Sequence, residues 1–428
     1  MQSAKLTGAT GACSNLLPDG PCLVAGLMSG TSHDGISAAL VRIKEHDGRP
    51  HCELLAFETT PYRRRLRERL LSVAEGRLAW PLRMKRPAAT RGLNSVLAEM
   101  STLNFLLGRA LAQAVLKLLK RAGVASNALA LVGSHGHTFF HLPPHAAARG
   151  QTPSTLQLGE PAMIAALTGV PVVADFRPMD MAVGGQGAPL APLAHLLLFG
   201  DAKRGRVVQN IGGIANATYL PPGAKIGEPR LIAFDTGPGN MVIDALALRL
   251  SGGRQRMDKG GRLASRGNVS DALLAQLMRH PFFSRQPPKS TGREEFGLSF
   301  VGQLIARGRR LGLSDLDLIA TATALTARSI ADALRRFVAP LGPVDQLIVA
   351  GGGAHNNTLM KMLKASLPST EVVKPEDLAV NGDAVEAMAF AILAYETVRG
   401  RPGNIPSVTG ARCPAILGKL TLPPNRSA

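Results

Sequence analysis

The chain is short of acidic residues, aromatic rings, cysteine and long apolar runs. Against 49 Lys and Arg it has 30 Asp and Glu in 428 residues, a formal net charge of +19. That imbalance raises nucleic acid as a partner, but only 4% of residues are aromatic, leaving few rings for base stacking. The 36 Arg and 13 Lys are spread along the chain with no lysine-rich tail, so no nucleic-acid partner is expected. The densest group is Arg63, Arg64, Arg65, Arg67, Arg69, Arg77, Arg83, Lys85, Arg86 and Arg91. Leu66, Leu70 and Leu71 are interleaved at helical spacing, and the group reads as a solvated helix face.

Cys13, Cys22, Cys52 and Cys413 form no close pair, no CxxC and no zinc spacing, which argues against a disulfide framework and a zinc site. Reduced thiols in the cytoplasm are the expectation. Residues 1–20 lack the apolar block of about 7–15 residues that a secretory signal needs, and read as a flexible leader. The apolar stretch at 190–199 is interrupted by Pro192 and His195 and falls short of the roughly 20 residues of a membrane span, so no membrane partner is expected. No GxxxxGK[ST] and no dinucleotide fingerprint occurs, which disfavours Walker and Rossmann nucleotide sites. No Ser/His/Asp arrangement or cysteine nucleophile stands out.

What is present is a regular alternation of apolar segments. With 45% apolar and 18% charged residues the chain can build a sizeable core, and its length suits two domains or one large α/β unit. Segments 23–28 and 36–41 flank a Gly/Ser/Asp turn and predict a β-hairpin, with a third strand at 53–59. Helical spacing covers 63–73 and 93–119, and a short strand at 129–133 ends in Ser134-His135-Gly136-His137. A second series starts with strands at 172–175 and 207–210, then a strand into Asp235 and a helix to Leu250. Helices are expected at 271–278, 298–310, 320–337, 357–367 and 384–398, and a strand at 346–350. The hairpins at 23–41 and 207–220 share one form, an apolar strand, a turn of glycine and small polar residues, and an apolar strand. Two turns that present backbone N–H groups suggest a ligand clamped between two similar lobes.

The first turn carries Gly30, Thr31, Ser32 and Asp34. Glycine allows close backbone approach, hydroxyls suit phosphate oxygens, and the Asp34 carboxylate suits hydrated magnesium. An ordinary hairpin turn would need the same Gly and Asp for its geometry alone. The second turn offers Asn210, Gly212 and Gly213, and Gly351-Gly352-Gly353 opens a helix in the manner of a nucleotide site. Asp235 closes an apolar strand before a Gly-Pro-Gly turn, a position suited to a catalytic carboxylate, or to an N-cap of the next helix. Glu386 lies in an apolar helix, where a carboxylate is costly without a task. His135, His137, Arg177, Asp180 and Gln186 are polar groups suited to a sugar, and the loop at 289–294 adds cations that could meet an acidic ligand.

In order, these motifs resemble the anhydro-N-acetylmuramic acid kinase family of the actin-like, hexokinase-like and Hsp70-like ATPase superfamily. The resemblance rests on Gly26-Leu27-Met28-Ser29-Gly30-Thr31-Ser32, Gly133-Ser134-His135-Gly136, Ala174-Asp175-Phe176-Arg177, Gly184-Gly185-Gln186-Gly187-Ala188-Pro189, Asn210-Ile211-Gly212-Gly213, Phe234-Asp235-Thr236-Gly237-Pro238-Gly239-Asn240, Pro288-Lys289-Ser290-Thr291-Gly292-Arg293, Gly351-Gly352-Gly353-Ala354, Val385-Glu386-Ala387-Met388-Ala389-Phe390 and Pro402-Gly403-Asn404. It implies a two-lobed α/β sugar-kinase fold, each lobe a mixed β-sheet flanked by helices, with a central active-site cleft. The expected division is a leader over 1–20, an N-terminal lobe over 21–171 plus 399–428, and a C-terminal lobe over 172–398.

The implied reaction uses ATP, Mg2+ and water to open the ring of 1,6-anhydro-N-acetylmuramic acid and phosphorylate its 6-oxygen. By the resemblance Asp235 is the general base, and Arg177, Asp180 and Glu386 hold or orient the sugar; a homodimer is expected. A kinase for another anhydrosugar such as levoglucosan, or an Hsp70-like binding module, would share several of these motifs. The chain departs from the family pattern at Ser37, where a second Asp is common, at His137, where Gln is usual, and at Glu160, where a shorter polar residue stands.

Overall fold

The apolar run CLVAGLMS forms a strand, Cys22–Ser29 (β1), buried along most of its length because it lies inside a sheet with a helix on each face. The computed structural model describes residues 16–30, 35–46, 48–74 and 95–425. The chain divides into two units, Met1–Leu197 with Ala384–Ala428, and Leu198–Asp383.

In the first unit β1 is joined by Gly35–His46 (β2), Arg49–Pro61 (β3), Leu129–Leu142 (β4), Ser154–Leu158 (β5) and Val172–Ala174 (β6). The second unit holds Arg206–Ile211 (β7), Ile214–Leu220 (β8), Ile232–Pro238 (β9), Gln346–Ala350 (β10) and Glu371–Val373 (β11), and Lys419–Thr421 (β12) returns to the first sheet. The first sheet runs β12-β6-β4-β1-β2-β3, with β5 paired to β4, and the second runs β11-β10-β7-β8-β9. In the first, β1 is antiparallel to β2, β2 to β3, and parallel pairs join β1 to β4 and β4 to β6. The second repeats this with β7, β8, β9, β10 and β11 in the same roles. The likeness of the two hairpins in sequence is thus one part of a duplicated topology.

One face of the first sheet packs on the helix Ser95–Ala122, whose Leu103, Leu107, Leu111, Val115 and Leu118 recur at three and four and are all buried with Ala25, Leu27 and Leu40. Among the described residues, this is the one helix apolar and long enough to cross a membrane, over Val96–Ala122, and half of its apolar window is buried in the protein, as in a core helix. The other face takes the helix Val385–Val398 at very close range. A Cβ on Gly26 would lie 1.9 Å from the Ala387 carbonyl oxygen, and one on Gly133 2.0 Å from that of Phe390. Only glycine lets the helix backbone approach so near.

The boundaries between units differ from those expected. They fall at 197/198 and 383/384, not at 171/172 and 398/399, because β6 pairs with β4 and the helix Val385–Val398 packs on β1 and β4. The end of the expected flexible leader is docked: Leu17 is buried, and the Pro18 carbonyl accepts from Arg399 Nη2 at 3.0 Å. Residues 1–15 lie outside the described residues, as do residues 75–94 of the arginine-rich stretch. The rest of that stretch forms the helix Arg64–Ala74, where Arg64 pairs with Glu68 on the surface and Leu70 is buried.

Strand β4 extends to Leu142, well past the expected end at 133, because its later part pairs with β5. His135 and His137 therefore lie within a strand. The helix expected at 320–337 starts at Asp315, where Ser314 and Asp317 form a reciprocal capping box, and passes into a π-helical turn at Leu334–Val338.

Candidate active site

In the second unit, β7 and β10 are parallel neighbours, with Asn210 opposite Ala350, so both strands deliver their glycine turns to one edge of the sheet. Ligands of α/β sheets characteristically bind beyond such strand ends. Gly351 has φ +78°, and a Cβ there would lie 2.3 Å from Asn210 Oδ1. Asn210, Gly212, Gly351 and Gly353 are thus brought together, with Gly213 and Gly352 exposed at the turns. The helix Asn240–Leu250 docks on this turn: Asn240 N–H donates to the Gly212 carbonyl at 2.8 Å, and Gly239 and Met241 N–H donate to that of Gly213.

Register pairs Asn210 with Asn216 across β7 and β8, and Asn216 with Asp235 across β8 and β9. Three polar side chains therefore cross the sheet in a row. Asp235 lies inside β9 and not at its end, and it caps no helix, since Gly239 occupies the N-cap of Asn240–Leu250. Its backbone N–H donates to the Lys289 carbonyl at 3.0 Å, and its Oδ2 accepts the Thr291 N–H at 2.9 Å. Oδ1 has no protein donor among the described residues. Burial pushes the carboxyl up to about 7, against the Thr291 hydrogen bond and the Lys289 cation, with Glu294 adding to the rise. A carboxylate at this value is matched to proton transfer near neutral pH.

Lys289 does not face a ligand from the 289–294 loop. Its side chain is buried against phenylalanine rings and backbone carbonyls. The cation count of a loop cannot reveal which cations turn inward.

In the first unit four of the five sugar-suited residues, His135, Arg177, Asp180 and Gln186, form one connected group. Arg177, on the helix Phe176–Ala182, donates from Nε and Nη2 to His135 Nε2 at 3.1 and 2.8 Å, and from Nη1 to the Gly187 carbonyl at 2.7 Å. Guanidinium can only donate, so His135 Nε2 must accept. The imidazole is neutral with its proton on Nδ1, aimed at the Gly136 carbonyl at 3.2 Å. Burial and the Arg177 charge hold His135 well below the usual histidine value, in agreement with that tautomer. Both ring nitrogens are engaged, and the geometry makes His135 a support for Arg177. Burial lowers Arg177 to about 10, while Glu386 and Asp180 favour its charge. Glu386 is exposed to solvent, yet the protein around it raises its carboxyl, opposed by Arg177.

Asp180 is fully buried and saturated. Its Oδ2 accepts from Gly187 N–H at 2.8 Å, and its Oδ1 from Asn404 Nδ2 at 2.8 Å and Thr409 Oγ1 at 2.7 Å. It ties the 184–189 loop to the chain's last segment, where Gln186 N–H also donates to the Thr409 carbonyl at 2.8 Å. Thr409 had no sequence signal, because its partner lies 229 positions away. His137 stands apart from this group. It is buried, and its Nδ1 is 2.8 Å from Ser29 Oγ, which also bonds Tyr62 Oη. Ser29 is the last residue of β1 and directly precedes Gly30; Thr31, Ser32 and Asp34 fall outside the described residues. Ser37, at its departure position, meets Thr59 Oγ1 at 3.2 Å, a weak brace between β2 and β3. Glu160 caps the helix Pro161–Thr168 and accepts from Asn104, using the length of its side chain.

Two α/β units of one topology, each with polar residues gathered at its sheet, define the class of actin-like ATPases and sugar kinases. Residues 22–423 match the model of the anhydro-N-acetylmuramic acid kinase family. The chain is 44% identical over 401 residues to an anhydro-N-acetylmuramic acid kinase of Caldanaerobacter subterraneus, covering 94% of this chain and 97% of that protein. It is 41% identical over 406 residues to the enzyme of the same name from Bacillus cereus, covering 94% and 99%. Among solved structures it is similar to the activator of the 2-hydroxyisocaproyl-CoA dehydratase of Clostridium difficile, with a TM-score of 0.41 and 10% identity over 88% of this chain and 96% of that one. The chain belongs to the anhydro-N-acetylmuramic acid kinase family, and it is a phosphotransferase.

Proposed function

We propose that this kinase uses ATP and water to open 1,6-anhydro-N-acetylmuramic acid, giving N-acetylmuramic acid 6-phosphate and ADP in peptidoglycan recycling. The observation that carries the chemistry is Asp235, a carboxyl near neutrality with one oxygen fixed by Thr291 and the other without a protein donor among the described residues. Asp235 Oδ1 takes a proton from water as the water oxygen bonds to the anomeric carbon. The bond from that carbon to the 6-oxygen breaks, the 6-oxygen bonds to the γ-phosphorus, and the bond from that phosphorus to ADP breaks. Water is a poor nucleophile at neutral pH, and a positioned base contributes roughly 10²–10⁴ in rate.

Arg177 is the cation for the sugar's lactyl carboxylate and Glu386 an acceptor for its hydroxyl or amide hydrogens, with His135 and Asp180 holding Arg177 and the 184–189 loop. Gln186 and His137 belong to the sugar side in this reading. Asn210, Gly212, Gly213, Gly351, Gly352 and Gly353 receive the nucleotide, and Gly30, Thr31 and Ser32 the phosphate. Mg2+ accompanies ATP, neutralising phosphate charge. Its expected carboxylate, Asp34, lies outside the described residues, and among the described residues no cluster of three or more ligating side chains exists. A cytoplasmic homodimer without nucleic-acid or membrane partners completes the proposal. Reaction in ¹⁸O-labelled water tests it: mass spectrometry should find the label on the anomeric oxygen of the product. Unlabelled product, or phosphorylation of levoglucosan with none of the muramic sugar, would refute it.

A further inference from the structure

Lys289 is 8% exposed, and no carboxylate pairs with its ammonium among the described residues. Nζ instead donates to the carbonyls of Phe282 and Phe283 at 3.3 and 3.4 Å. It lies 4.6 Å from the Phe282 ring centroid, 4.7 Å from that of Phe337 and 6.0 Å from that of Phe234. Carbonyl oxygens and ring faces are what a cation removed from water requires. Phe337 belongs to the π-helical turn Leu334–Val338, a departure from α-helix of a kind frequent at functional sites, and this one places a ring beside Lys289. Phe234 directly precedes Asp235 in β9.

The main chain next to this cage holds Asp235 at two points. The Lys289 carbonyl accepts the Asp235 N–H, and two residues later the Thr291 N–H donates to Asp235 Oδ2. We propose that Lys289 is a positioning residue for the reaction: its caged ammonium anchors residues 289–291 so that Thr291 fixes one oxygen of Asp235 and leaves the other free for the proton. The proposal rests on Asp235 acting as the base. The charged groups around Lys289 are Arg336, Asp332, Arg285 and Asp235, and those around Asp235 are Lys289 and Glu294. Lys289 thus also favours the carboxylate form of Asp235 through space.

Lys289→Met in the full chain retains an apolar stem and removes the charge. Its kcat should fall roughly 10- to 100-fold, as a displaced base predicts, with KM for ATP and for the sugar within about twofold of wild type. The acid limb of kcat/KM should move to higher pH. A folded variant with wild-type kcat, a loss confined to KM, or a kcat loss with an unmoved acid limb would overturn the proposal. If Lys289→Met does not fold, Phe337→Leu removes one face of the cage and keeps the lysine. It should lower kcat by a smaller factor at unchanged KM, and wild-type turnover there would overturn the proposal equally. Wild-type turnover in folded Asp235→Asn would instead sink the base reading on which the proposal rests.

Discussion

With Asp235 as the proposed base, activity should depend on pH in a way an ordinary aspartate would not produce. With its carboxyl at about 7, roughly nine-tenths is ionised at pH 8 and about one-tenth at pH 6. Only the carboxylate can accept the proton of water, so kcat/KM for the sugar should drop roughly tenfold between these values. An unperturbed aspartate near 4 would leave the profile flat over that range. The same shift bears on stability. A carboxyl whose value rises from 3.8 to about 7 on folding makes the native state take up its proton more readily. Its contribution is therefore full below about 4, is lost as pH rises to about 7, and stays lost above. Asn cannot ionise. Asp235→Asn should lose roughly 10²–10⁴ in kcat, yet melt at a higher temperature than wild type at pH 8, with the two converging at pH 4. Initial-rate kinetics from pH 5 to 9 and thermal melts at both ends measure this. A flat profile from pH 8 to 5, or a variant less stable than wild type at pH 8, would refute the reasoning.

Three further outcomes follow from the geometry. Arg177→Lys cannot span His135 and Gly187 together, so KM for the anhydrosugar should rise about tenfold or more while KM for ATP stays put, read from initial rates. Asp180→Asn replaces an acceptor of three hydrogen bonds with a group whose NH₂ must face a donor, and should cost about 1–3 kcal/mol in urea unfolding. Gly351→Ala forces a Cβ against Asn210 at positive φ, and should weaken nucleotide binding measured by calorimetry, with sugar binding unaffected.

Much of the secondary structure was legible because it depends on neighbours in sequence. Helices Asp271–Met278 and Leu298–Arg310 and strand Gln346–Ala350 have the bounds that apolar spacing predicts. Where distant partners decide, the reading fell short. Strand β4 runs on through His135, Gly136 and His137 because β1 pairs with it as far as His137 and β5 takes over from there, although that stretch has no strand-like apolar pattern. The unit boundaries moved because the helix Val385–Val398 packs on glycines more than 250 positions earlier.

The same line divides the site. Residue order alone carries the family and the chemical types, a carboxylate beside Gly-Pro-Gly and glycines after strands, because these motifs are local runs whose geometry their own residues set. Tertiary structure decided what each side chain can still do. His135 is engaged at both ring nitrogens and supports Arg177, Asp180 is saturated by three donors, and Lys289 turns into a phenylalanine cage. The Asp235 carboxyl is raised to about 7 because folding removes it from water, against the one amide that folding places on one of its oxygens. Burial and hydrogen-bond saturation depend on which groups meet in space, and apart from the adjacent Gly136 carbonyl these partners lie 7 to 229 positions apart.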